Sequence, residues 1–143
     1  MVTVAWLDEF RRNHRMLDTA LAILVIVAVA WLFYNGLAIA LGTPMPMVSV
    51  VSGSMEPNLH VGDLMIISKG HYDVGDIAIY LHNGVTIIHR IVEVREDGMY
   101  IFKGDHNPAP DPEPVPPERI LGEARLALPL LGYPRLALYA IGI

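Results

Sequence analysis

Ser52-Gly53-Ser54-Met55-Glu56-Pro57 follows directly on an apolar, β-branched run. A serine placed after glycine at a strand exit can be presented on a sharp turn, with backbone N–H groups converging where an oxyanion would form. Ser-Gly-Ser is also a common turn without chemistry, so Ser54 gains weight only from its company. His89 lies in Ile87-Ile88-His89-Arg90-Ile91-Val92. A histidine flanked by isoleucines is more often a half-buried structural residue than a base. Asp105 and Asp111 bracket Gly104-Asp105-His106-Asn107-Pro108-Ala109-Pro110-Asp111. Each could belong to a solvated turn closed by its own carboxylate. One of them could instead orient an imidazole and stabilise the imidazolium formed when a serine gives up its proton. The prolines around Asp111 would hold such a carboxylate at low entropic cost.

The elements that must position these residues can be read along the chain. From 19 to 41 no residue carries a formal charge, and most are Ala, Leu, Ile or Val. A helix of that length spans about 34 Å, enough to cross a bilayer core. A cleaved leader is the weaker reading, because the run exceeds the usual apolar region and Gly42-Thr43-Pro44 supplies no small-x-small site. Arg11, Arg12 and Arg15 precede the span, and no Lys or Arg follows it until Lys69. The expectation is a cytoplasmic segment at 1–18, a transmembrane helix at 19–41, and an extracytoplasmic domain beyond.

Residues 44–128 read as β-rich. Runs at 47–52, 64–68, 76–82, 85–95, 99–103 and 122–128 have strand character, and Asn83-Gly84 is a strong hairpin signal. Six prolines fall between Asn107 and Pro117, which predicts a loop without a ladder role, followed by one helical turn at 117–121. The fold class is mainly β: a small antiparallel β domain with an N-terminal transmembrane helix. The apolar stretch 129–143 either lies in the membrane interface or is part of a second span.

Composition narrows the function. Mean hydropathy is +0.42. The net charge of −5 argues against nucleic acid, which needs a positive surface. The chain has no cysteine, so disulfides, thiolate catalysis and Cys-based zinc sites are excluded. A metal site from His82, His89, His106 and an aspartate is conceivable, but no HExxH or comparable spacing is present.

Taken in order, the blocks resemble those of type I signal peptidases. Ser52-Gly53-Ser54-Met55-Glu56-Pro57, followed by Val61-Gly62-Asp63-Leu64, looks like their nucleophile motif. Gly75-Asp76-Ile77-Ala78-Ile79, Ile88-His89-Arg90-Ile91-Val92 and Phe102-Lys103-Gly104-Asp105-His106-Asn107 resemble the blocks that follow, the second of them carrying the base. Histidine at the base position is similar to the archaeal and endoplasmic-reticulum branch, where the common bacterial branch has lysine. A lysine base must have its pKa lowered by burial, whereas histidine starts near 6.5 and accepts a proton at neutral pH unaided.

The resemblance implies a fold of signal-peptidase type and a membrane-bound serine endopeptidase. It would remove N-terminal signal peptides through an acyl-enzyme, in the cell membrane or the endoplasmic reticulum membrane. It implies Ser54 as nucleophile, His89 as base, and Asp111 as the better placed triad acid, with Asp105 structural or sharing that role. It also implies an oxyanion hole from the Ser52 hydroxyl and the Ser54 N–H. No cofactor or metal is implied. The partners would be signal peptides with small residues at P1 and P3, the lipid bilayer, and any secretion-machinery or complex subunits. Val50, Met55, Ile79 and Ile87 are the candidates to line the specificity pockets. Two rivals remain: a Ser-Lys protease, for which only Lys69 and Lys103 are available, and a non-catalytic, membrane-tethered subunit that only binds signal peptides.

Overall fold

The computed structural model describes residues 3–141, with side chains described from His14 onward apart from Tyr139. Two compact units result, one ending at Leu37 and the other beginning at Ala38. Helix α1, Thr3–Leu41, runs without interruption through the boundary foreseen near residue 18. Nothing there breaks it: no proline occurs before Pro44, and Thr19 Oγ1 donates to the carbonyl of Arg15 at 2.8 Å. Within α1, His14–Leu41 is long and apolar enough to cross a membrane, and no residue of its most apolar stretch is buried.

The helix ends on glycine for a conformational reason. Gly42 adopts φ +64°, and the N–H groups of Gly42 and Thr43 return to the carbonyls of Ile39 and Ala38 at 3.2 and 3.1 Å. This double closure satisfies terminal carbonyls that a helix otherwise leaves unpaired. Thr43 is buried, and its hydroxyl donates to Leu121 O at 2.8 Å.

Six antiparallel strands form one sheet: β1 Met47–Ser49, β2 Leu64–Ser68, β3 Ile77–His82, β4 Val85–Val94, β5 Tyr100–Lys103 and β6 Ile120–Leu128, in the order β1-β2-β6-β3-β4-β5. The β3–β4 hairpin turns at Asn83 and Gly84, both with positive φ, as the dipeptide predicts. Two apolar clusters pack the domain. One gathers Val48, Val50, Met55, Met65, Ile67 and Ile79. The other gathers Ala78, Tyr80, Ile91, Phe102, Val115 and Ile120.

Three local expectations change. The first strand stops at Ser49 instead of continuing to 52, although Val50 still exchanges hydrogen bonds with Asp63 and Gly62. Val51 and Ser52 then turn outward into the Ser-Gly-Ser turn. The last strand begins at Ile120, because that side chain is buried and pairs with Tyr80.

The proline-rich segment does take a ladder role. Val115 and Tyr100 exchange hydrogen bonds of 2.8 and 2.9 Å, and Asp111 N–H donates to Phe102 O at 2.8 Å. Prolines occupy the even positions from 108 to 116. The N–H groups that reach β5 therefore come from odd positions, and no ladder donor is lost.

The tail folds as a short helix, α2 Tyr133–Ala140, against β1. Gly132 N–H donates to Gly62 O at 2.8 Å, and Arg135 Nη1 to Met47 O at 2.8 Å.

Gly122 lies where β6 passes β2 and β3. A Cβ there would stand 2.6 Å from Ile67 Cγ2 and 2.8 Å from Ser68 O. Gly122→Ala should destabilise the domain by about 1–3 kcal/mol through overpacking, read as a lower denaturation midpoint in detergent.

Candidate active site

Ser54 sits in a one-turn 3-10 helix, Gly53–Met55, that follows the exit from β1. The turn is held by Met55, whose side chain is buried with Val48, Val50 and Ile67, and whose carbonyl accepts the N–H groups of Asn58 and Leu59. From the other side, His106 N–H donates to Ser54 O at 2.9 Å. Gly104 allows this approach, since a Cβ there would lie 2.7 Å from that same oxygen.

β4 supplies His89, which is 8% exposed and stands opposite Ala78 of β3. The Nδ1 of His89 is 2.6 Å from Asp111 Oδ2, and its Nε2 is 3.2 Å from Ser54 Oγ. A carboxylate only accepts, so Nδ1 carries the proton and donates to Asp111. Nε2 then presents a lone pair that accepts the Ser54 hydroxyl proton. The Ser52 and Ser54 hydroxyl oxygens are 3.1 Å apart. Residues 35 and 22 positions distant in sequence are thereby joined in one hydrogen-bonded chain.

Asp105 is engaged elsewhere. Its two oxygens accept Arg90 Nε at 2.8 Å and Nη2 at 2.7 Å, and Asn58 Nδ2 donates to Oδ2 at 2.7 Å. Arg90 also donates to Gly75 O through Nη1. Strand alternation explains the division: His89 and Arg90 are neighbours on β4, so they project to opposite faces and meet different aspartates. The fork from Arg90 holds the Asp105 carboxyl below its ordinary value of 3.8, against the opposing effect of burial.

Several site residues carried no signal of their own in the sequence. Tyr80 donates its hydroxyl to Asp111 Oδ2 at 2.7 Å. Burial first, then the bond to Asp111 and its charge, push this phenol upward, so it stays a donor. Arg90 and Asn58 are the partners of Asp105, and Asn107 lines the cleft. Only tertiary packing relates them, although all four fall inside or beside the recognised blocks.

The cleft beside Ser54 and His89 encloses about 420 Å³ and is walled by Val50, Met55, Ile87 and Ile88 among others. Ile79, one of the four candidates for the pocket walls, is instead fully buried in the core. β5 pairs with β4 only from Arg90 onward, so the edge of residues 85–89 is left open toward the cleft. Neither Lys69 nor Lys103 lines it. His82 turns to Asn83 and Glu113, and among the described residues no three potential metal-ligating side chains converge.

An apolar helix of membrane-crossing length and an antiparallel sheet carrying a serine, histidine and aspartate in contact define a class: a membrane-anchored serine peptidase. Comparison with known proteins agrees. The profile of the family described as Peptidase S24-like matches residues 33–125. The signal peptidase complex catalytic subunit sec11 of Dictyostelium discoideum is 32% identical over 152 residues, covering 90% of this chain and 85% of the relative. SEC11 of Pyricularia oryzae is 34% identical over 125 residues, with 76% and 73% covered. SEC11C of Homo sapiens is 32% identical over 142 residues, with 87% and 74% covered. The chain belongs to the S24-like serine peptidases and, within them, to the signal peptidase catalytic subunits.

Asp105→Asn should leave Arg90 without its fork and cost about 1–3 kcal/mol. Because the folded carboxyl titrates below 3.8, its stabilisation is present above that pH and lost as pH falls through the lowered value. Acid unfolding curves of the variant should lack this component.

Proposed function

We propose that the chain is a signal peptidase that removes N-terminal signal peptides from preproteins by acyl transfer, with Ser54, His89 and Asp111 as its catalytic residues. The observation that carries the reading is the hydrogen-bonded chain of 3.2 Å from Ser54 Oγ to His89 Nε2 and 2.6 Å from His89 Nδ1 to Asp111. Ser54 Oγ attacks the carbonyl carbon of the scissile peptide while its proton passes to Nε2. Asp111 stabilises the imidazolium, and the Ser52 hydroxyl with the Ser54 N–H receives the developing oxyanion. His89 then returns the proton to the leaving amine, the C–N bond breaks, and an ester to Ser54 remains. Water, deprotonated by His89, attacks the ester and releases the signal peptide as a carboxylate; the proton returns to Ser54. Asp105 acts through Arg90 and the β5 loop as a structural support.

The open edge of residues 85–89 supports an extended substrate added as a strand, with alternate side chains directed into the cleft. Walls of Val50, Met55, Ile87 and Ile88 leave shallow apolar room, in keeping with small residues at P1 and P3. Ser54→Ala and His89→Ala should each reduce cleavage of an Ala-x-Ala peptide on the order of 10⁶-fold with the fold retained. A Ser54→Ala variant that still cleaves would refute the assignment. An active His89→Ala enzyme would revive a lysine base.

The three arginines before the span favour a cytoplasmic N-terminus and a catalytic domain on the far side of the membrane. With no native cysteine, this is directly measurable. In sealed vesicles of native orientation, Asp97→Cys should react with an impermeant maleimide from the extracytoplasmic side, and Asn13→Cys should not. The relatives are, by name, catalytic subunits of a complex. Cleavage by the full chain purified alone would show whether it needs such partners.

A further inference from the structure

Asp111 Oδ2 has two donors. His89 Nδ1–H reaches it at 2.6 Å and Tyr80 Oη–H at 2.7 Å. Strand register explains the convergence. Ala78 stands opposite His89 and Tyr80 opposite Ile87, so Tyr80 and His89 are diagonal neighbours on one face of the β3–β4 pair. The tyrosine ring is buried and tilted against Phe102 at 4.5 Å, and Phe102 O also receives the Asp111 backbone N–H. Ring and carboxylate are thus referenced to the same residue of β5. Behind them a cavity of about 100 Å³ is bordered by Tyr80, Asp111, His82 and Glu113.

From this geometry we infer that Tyr80 is a positioning residue of the peptidase reaction: its hydroxyl holds the Asp111 carboxylate on His89 and takes a share of its negative charge. The inference rests on the proposed roles of Ser54, His89 and Asp111. A carboxylate oxygen that also accepts from a phenol stabilises an imidazolium less than one facing the imidazole alone. Tyr80 thereby weakens the pull of Asp111 on an imidazolium while fixing the orientation of the acid. The other charged groups around the three residues are His82 and Glu113 across the cavity, the Arg90–Asp105 pair with Lys103 beside it, and Glu56 and His106 at the nucleophile turn. None of these is altered by a change confined to the Tyr80 hydroxyl.

The test uses the full chain in detergent and an Ala-x-Ala peptide, with kcat and KM measured against pH. Tyr80→Phe preserves the ring. It should lower kcat about tenfold, leave KM unchanged, and move the acid limb of kcat/KM to higher pH. Site-specific 3-fluorotyrosine at position 80, a stronger donor, should move that limb to lower pH. In an Asp111→Asn background, Tyr80→Phe should have no further effect, because the two act as one unit. If Asp111→Asn alone is fully active, the triad reading fails and this inference with it. If Asp111→Asn is impaired but the acid limb of Tyr80→Phe stays in place, this inference alone is overturned, whatever happens to kcat. Should Tyr80→Phe fold poorly, the fluorinated protein decides: an unmoved limb rejects the proposal.

Discussion

A carboxylate cannot donate a hydrogen bond, so the 2.6 Å approach of Asp111 to His89 Nδ1 requires the proton to sit on that nitrogen. That requirement frees the other ring nitrogen as an acceptor, and Ser54 Oγ lies 3.2 Å from it. Much of the surrounding architecture serves to hold this one tautomer in one orientation. β3 and β4 present the imidazole, the proline-rich segment pins the carboxylate to β5, and Met55 roots the serine turn in the core.

The proline-rich segment carries more of the structure than its composition advertises. Prolines at alternate positions remove donors on the side turned from β5 and leave those at Asp111 and Val115 free to pair. Such a segment loses little conformational entropy when it orders. The carboxylate that must not drift is therefore carried by a stretch with few alternatives.

The two aspartates divide labour by face. Adjacent residues on β4 point in opposite directions, so His89 meets Asp111 while Arg90 meets Asp105. The ion pair on one face braces the loop whose His106 N–H grips the Ser54 turn, and the pair on the other orients the His89 imidazole. A lysine base needs no such orienting acid, because its neutral amine rotates freely and has no tautomers. An imidazole does.

What the sequence by itself determined is local or combinatorial. The charge-free run announced the helix, Asn83-Gly84 the hairpin, and the ordered blocks the family, because these depend on short-range conformational rules or on retained order. Only tertiary structure decided which aspartate faces His89, that Tyr80 shares that carboxylate, that Val115 joins the sheet, and that Ile79 is core instead of cleft. Each depends on the register and facing of strands far apart in the chain, where a shift of one residue reverses every side chain. Spacing along the backbone carries no record of that choice.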